Sequence, residues 1–282
     1  MAICGVCFRH CDIEEGGLGF CGGRTAKDGK VIAFNYGRVT SLALDPIEKK
    51  PLYRFCPGSM ILSVGSFGCN LRCPFCQNHE ISWSRRAREF AHTAETVSPE
   101  ELAALALKLR RRGNIGLAFT YNEPLIGWEF VRDAARLIKN EGMKSVLVTN
   151  GTAELAVLSE LAPHIDAMNI DLKGFTDRYY GEVLRGDRQM VMDFIEAAVK
   201  TCHVELTTLI VPGENDGEDE MRALSQWVAG LKNPDGEEVP LHISRFFPRF
   251  NMRDREPTDV KTVYRLADIA RERLKYVYTG NC

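Results

Sequence analysis

From residue 60 onward the chain alternates short apolar runs with amphipathic ones, and this alternation limits the possible folds more than any other feature. The runs are MILSV from Met60, NIGLAFTY from Asn114, MKSVLVTN from Met143, IDAMNIDL from Ile165, CHVELTTLIV from Cys202 and VPLHISRF from Val239. Runs of this kind separated by helix-length segments read as βα units, which assemble into a parallel sheet covered by helices. The intervening segments carry ordinary helix signals. Ser98, Pro99 and Glu101 form a capping-box start, Leu102, Leu105 and Leu109 share one face, and Gly113 stands just past the end. Met221, Leu224, Trp227, Val228 and Leu231 repeat the helical period until Pro234 and Gly236 break it. The expected fold class is α/β: a partial (β/α)6 barrel, with a flavodoxin-like open sheet as the alternative.

Residues 1–55 have a different texture. They hold four cysteines, a Gly-rich stretch over residues 16–23 and two short β-prone runs, residues 31–36 and 38–44, joined at a glycine. We read them as a small cysteine-rich, metal-bearing subdomain packed on a core domain of residues 56–282. At 282 residues, 45% hydrophobic and 26% charged, the chain buries a full core without a staple. A net charge of -2 makes no general case for nucleic acid or a membrane as partner, and no apolar stretch is long enough to span a bilayer. The start, MAICGVC, has neither a basic segment nor an apolar signal core, so the expected location is cytoplasmic. In that setting ten cysteines mean metal or redox chemistry rather than a disulfide framework.

Cys69, Cys73 and Cys76 lie in GSFGCNLRCPFCQN. Three thiolates can cap a four-iron cluster and leave one iron open to a ligand, whereas a closed structural cluster takes four. The competing reading is a zinc knuckle with His79 as fourth ligand. Against it, the cysteines follow an apolar run that opens a long βα series, whereas zinc knuckles sit in small ribbons of their own. A second set, Cys4, Cys7, Cys11 and Cys21, is spaced so that four thiolates can converge; tetrahedral zinc and a closed iron-sulfur cluster both suit it. Cys56 and Cys202 read as buried small hydrophobes.

The C-x3-C-x2-C spacing with Phe75 beside the last cysteine resembles the signature of the radical S-adenosylmethionine (SAM) enzymes. That resemblance implies a [4Fe-4S] cluster on Cys69, Cys73 and Cys76, whose open iron chelates the methionine part of SAM, with Phe75 and its neighbour Gln77 on the cofactor. It implies the partial barrel too. In βα barrels reactive groups collect where strands end. After the second strand comes Thr120-Tyr121-Asn122-Glu123-Pro124, by itself a plain helix start. Radical SAM proteins carry a Gly-Gly-Glu-like element there, so Glu123 is the expected partner of the methionine ammonium and Asn122 a backbone contact.

The third strand ends Thr149-Asn150-Gly151, the fourth Asp171-Leu172-Lys173. Asn-Gly is by default a turn and the Asp/Lys pair by default a surface pair, but residues two apart on a strand point the same way. The pyruvate formate-lyase activating enzymes have similar Thr-Asn-Gly and Asp-Leu-Lys elements on SAM. An aspartate usually precedes the first of these where Val148 stands here, which argues against an alkali-metal site. They also have a histidine near SAM at the position of His242, although a lone strand histidine is more often a core residue.

The cysteine set at the start, the stretch DPIEKKPLYRFCPGSMILSVGSFGCNLRCPFCQN from Asp45 and the TYNEP element together resemble the radical SAM member of the AmmeMemoRadiSam system. Such proteins often continue past a YVYTGN-like strand into a Cys-x2-Cys element, whereas this sequence stops at Cys282. The resemblance implies a flavodoxin- or ferredoxin-like electron donor and companion proteins of that system. It also implies a 5'-deoxyadenosyl radical that takes hydrogen from a small molecule or peptide. An activase acting on a glycine of a partner protein, docked by Arg245, Arg249, Arg253 and Arg255, is the alternative. A non-catalytic iron-sulfur or zinc protein is the alternative of another class.

Overall fold

The computed structural model describes the backbone of residues 1–282 and all side chains except those of residues 86, 88, 91 and 92. Eight strands form the central sheet: β1 (Ser41–Pro46), β2 (Met60–Gly65), β3 (Asn114–Phe119), β4 (Lys144–Thr149), β5 (Ala167–Asp171), β6 (His203–Ile210), β7 (Leu241–Arg245) and β8 (Val277–Gly280). Their order in space is their order in sequence, and β1 and β8 are the two edges. From β2 to β8 the pairing is parallel; β1 returns antiparallel to β2. Six main helices follow strands: α1 (Pro99–Leu109), α2 (Trp128–Asn140), α3 (Leu155–Leu161), α4 (Arg188–Ala198), α5 (Glu218–Val228) and α6 (Val260–Arg271).

The six expected strands are β2 to β7, and the expected capping box exists. Ser98 Oγ accepts from Glu101 N at 3.1 Å while Glu101 Oε2 accepts from Ser98 N at 2.8 Å, and Gly113 follows in the left-handed region at φ 82°. Two strands enlarge the sheet. β8 adds a seventh parallel strand. β1, read as part of the amino-terminal subdomain, is instead an edge of the main sheet, with Leu44 opposite Leu62. The runs around Gly37 therefore do not form a hairpin with each other: Lys30–Ala33 pairs back onto Arg24–Lys27, and Arg38–Val39 pairs with Glu95–Thr96.

Strand alternation divides the sheet into two faces. Leu62, Leu117, Leu147, Met168 and Leu206 point to the helices and bury against residues such as Leu102, Ala134 and Ile138 in the larger core. Ile61, Ala118, Val146 and Ala167 point to the other, inner face, where Ile47 and Leu52 cover them. At Gly116 a Cβ would stand 1.7 Å from Lys144 O, so only glycine lets β3 and β4 pair there.

Further along the inner face the side chains become polar. Glu205, fully buried, accepts from Arg54 N at 2.7 Å and Tyr53 N at 3.1 Å, and Asn169 Nδ2 donates to Pro51 O at 2.9 Å. The segment between β1 and β2 is thereby tied across the sheet's inner face.

The amino-terminal residues pack on the same body. Arg24 pairs with Glu129 of α2 at 2.6 Å, Glu154 N donates to Val6 O at 2.9 Å, and Asn35 Nδ2 donates to Phe67 O at 3.0 Å. Among the described residues no helix is long and apolar enough to cross a membrane.

Candidate active site

The carboxyl ends of the parallel strands open on a cavity of about 320 Å³. Its walls bring together most of the residues singled out from the sequence. Cys69, Cys73, Phe75, Cys76 and Gln77 come from the loop after β2. Asn122 and Glu123 follow β3, Thr149 and Asn150 end and follow β4, and Asp171 and Lys173 end and follow β5. Each group arrives from a different strand end, so the sheet rather than any local motif assembles the site.

Glu123 is buried and fully engaged. Oε1 accepts from Thr149 Oγ1 at 2.6 Å and from Leu125 N at 3.0 Å, and Oε2 accepts from Asn150 N at 2.8 Å. Burial pushes its carboxyl up to about 7 against the pull of those three donors, with the nearby charge of Asp171 adding to the rise. Asn150 Nδ2 points at Cys69 Sγ, 3.7 Å away, and Leu71 N donates to the same sulfur at 3.4 Å. Lys173 Nζ meets Asp171 Oδ2 at 2.8 Å. Burial opposes the lysine's charge, but Asp171 and the Cys73 sulfur more than offset it and hold the ammonium well above its usual pKa. Burial likewise pushes the Cys73 thiol up to about 12, with Lys173 pulling it back.

The turn carrying Glu123 has an unusual backbone. Tyr121 sits in the left-handed region at φ 73°, where a non-glycine residue stores about 1–2 kcal/mol. Its hydroxyl donates to Asp45 Oδ2 at 3.0 Å, and its carbonyl accepts from Asn78 Nδ2 at 2.8 Å. Asp45 is in turn paired with buried Lys50 at 2.9 Å. These anchors hold the turn in a conformation that glycine would adopt freely.

Two expected residues stay out of the cavity. Leu172 is wholly buried, between the outward pleat and the helices, and offers only its carbonyl, to Thr208 Oγ1 at 2.7 Å. His242 is not on the cavity wall but is taken up by Glu205 Oε2, 2.6 Å away, between the rings of Tyr53 and Tyr278. The residue of β7 that does line the cavity is Ser244, and with it Thr207, Leu209, Tyr121 and Asn281, none of them singled out from the sequence. Strand period was the available signal: Ser244 shares a face with His242 and stands opposite Leu209. His79 stacks on Phe250 with ring centres 4.2 Å apart and is not among the residues of the cavity wall. Cys202 is buried as expected; Cys56 is exposed, in a left-handed turn at φ 46°.

The model of the Radical SAM superfamily matches residues 63–224, and the chain belongs to that superfamily. It is 40% identical over 280 residues to an uncharacterized protein of Methanocaldococcus jannaschii, MJ0808, across 99% of this chain and 80% of that one. It is 28% identical over 182 residues to the pyruvate formate-lyase 1-activating enzyme of Escherichia coli K12, across 62% of this chain and 71% of that one. Among solved structures, Streptococcus suis SuiB bound to S-adenosylmethionine shares the fold, with a TM-score of 0.58 at 10% identity, across 76% of this chain and 48% of that one.

The chain is thus an enzyme of the radical SAM type, related to the activating enzymes, and the family's cofactors are a [4Fe-4S] cluster and SAM. The residues present fit them. Three thiols open on one cavity, with N–H donors aimed at a sulfur as cluster sulfurs require.

Proposed function

We propose that Cys69, Cys73 and Cys76 hold the cluster with one iron open, and that the chain cleaves SAM reductively to take hydrogen from a small molecule or peptide. The observation that carries this reading is the convergence of those thiols, the Glu123–Thr149–Asn150 network and the Asp171–Lys173 pair on one cavity. When bound, the cluster and SAM supply a primary carbon radical able to attack an unactivated C–H bond.

The chain's own task is to hold the cofactor and keep water out. Glu123 takes the methionine ammonium, Asn122 offers a backbone contact, Asn150, Asp171 and Lys173 orient the rest, and Phe75 and Gln77 flank the adenosine. Residues 246–252 close over the cysteine loop: Phe246 meets Phe75 edge-on at 6.2 Å, and Asn251 N donates to Pro74 O at 2.9 Å. A flavodoxin- or ferredoxin-like protein supplies the electron.

Likeness to the activating enzymes favours a second reading, with a glycine of a partner protein as substrate. Part of the arginine run proposed to dock it is already engaged within the chain. Arg245 Nε donates to Thr258 O at 2.7 Å, and Arg255 pairs with Glu214 at 2.8 Å. That leaves the small-molecule or peptide reading ahead. Likeness to the AmmeMemoRadiSam member supports companion proteins of that system, and the pairing of β1 with β2 favours a cysteine-rich unit ending near residue 40.

The test is anaerobic incubation of reconstituted protein with SAM and dithionite. 5'-Deoxyadenosine should accumulate, and Cys73→Ala should abolish it; a wild type that makes none overturns the reading. Deuterium carried from a labelled substrate into that product then separates the two substrate classes.

A further inference from the structure

Cys4, Cys7, Cys11 and Cys21 come together around one small cavity, with Arg9, Arg24 and Ile126 also in its wall. We propose that they hold a second, fully ligated [4Fe-4S] cluster that relays the electron to the cluster at Cys69, Cys73 and Cys76. This rests on the reading of those three cysteines given above.

Four thiolates are the ligand set of a closed [4Fe-4S] cube as well as of tetrahedral zinc, and the direct bond of this loop to the Cys69 loop favours the cube, because zinc has no redox chemistry and only the cube can pass an electron on. Backbone N–H groups already point at the sulfurs, Gly23 N at Cys21 Sγ (3.4 Å) and Phe20 N at Cys11 Sγ (3.5 Å), the type of contact that tunes cluster potentials. With four protein ligands no iron remains open, which leaves electron carriage as the chemistry available.

The position of the quartet gives that carriage a destination. Cys69 N donates to Cys21 O at 3.1 Å, so the two ligand loops are directly bonded. At Gly68, φ 93°, a Cβ would stand 2.7 Å from Cys21 O; glycine is what lets the loops meet. A second link runs through buried amides. Asn150 Nδ2 donates to Asn70 Oδ1 at 2.9 Å while facing Cys69 Sγ at 3.7 Å, and Asn70 O accepts from Arg9 Nε of the outer loop at 2.8 Å. Arg9, so held, lines the four-cysteine cavity and brings a positive charge that favours an added electron there. Cys11 is partly exposed while the other three are buried, giving the outer cluster an edge toward a donor.

The step balances as one electron: the reduced donor protein returns to its oxidised form, the outer cluster passes from 2+ to 1+ and back, and the inner cluster ends at 1+. No bond or proton moves.

The experiment uses the full chain reconstituted anaerobically with iron and sulfide. Wild type should bind about eight irons, two cubes' worth, and once reduced show two [4Fe-4S]+ EPR signals of which SAM alters only one. A Cys69→Ala, Cys73→Ala, Cys76→Ala variant should keep about four irons and the signal indifferent to SAM. Zinc or no metal in that variant overturns the proposal, as does a wild type whose only signal responds to SAM. A wild type lacking the SAM-responsive signal but keeping the other instead overturns the reading of the inner site.

For the relay, a Cys4→Ser, Cys11→Ser variant should lose freeze-quench reduction of the SAM-responsive cluster by reduced flavodoxin while dithionite still reduces it; an unchanged rate overturns the relay. Should that variant fail to fold, spin–spin broadening between the two signals in reduced wild type answers the same question, and its absence counts against the relay.

Discussion

Glu205 carries a heavy electrostatic demand on the inner face of the sheet. Its side chain has no solvent exposure, and both oxygens are occupied. Oε1 accepts from Arg54 N at 2.7 Å and His203 Nε2 at 3.1 Å; Oε2 accepts from Tyr53 N at 3.1 Å and His242 Nε2 at 2.6 Å. An ionised carboxylate only accepts, so both imidazoles present an Nε2–H to it. Burial pushes the carboxyl up, but His203, His242 and Arg54 N more than offset it and bring it down to about 2 from an ordinary 4.5.

At 1.36 kcal/mol per pKa unit, that depression corresponds to roughly 3 kcal/mol of folding stability. Because the folded pKa lies below the unfolded one, this contribution is complete above about pH 4.5 and is lost as pH falls toward 2. Glu205→Gln keeps the shape but aims an NH2 at groups that are themselves donors, so it should lose about 3 kcal/mol at neutral pH, or about 6–12 °C in Tm. Urea unfolding of the anaerobic holoprotein, followed by far-UV circular dichroism from pH 7 to pH 3, measures both effects. A neutral-pH loss under about 1 kcal/mol, or a wild type no steeper than the variant below pH 4.5, refutes the reasoning.

Three further outcomes are expected. Glu123→Gln should weaken SAM binding by about tenfold to a hundredfold, the worth of a hydrogen bond to a charged group, with iron content unchanged; equilibrium dialysis showing wild-type affinity removes Glu123 from the ammonium site. Tyr121→Phe loses the bond to Asp45, about 1 kcal/mol, and frees a strained turn, so both Tm and SAM affinity should fall, and a Phe variant equal to wild type in both denies the anchoring role. Gly116→Ala sets a methyl group against Lys144 O and should cost at least about 3 kcal/mol by thermal melt; a wild-type melt would mean that β3 and β4 separate freely there.

The strands legible in the sequence were those whose burial on both faces writes an unbroken apolar run, β2 to β7. The partner of β1 is not legible in the same way, because it is set by a register with β2 across a short helical turn and loop residues that carry no period of their own. At the site, the polar residues of the cavity wall are legible wherever a strand ends in a short polar group, as at Thr149-Asn150 and at Asp171 and Lys173. Depth along the strand is not. His242 and Ser244 share a face, and the histidine drew notice by its chemistry, yet two residues of strand set it against Glu205 instead of the cavity. Glu205 was itself the missed signal: a carboxylate in the middle of CHVELTTLIV has no place on a buried strand unless donors surround it, and the histidines in the same two runs were the donors available. As a partner of that glutamate His242 belongs to the buried inner face, and the next position on that face toward the strand's end, Ser244, is the one that lines the cavity.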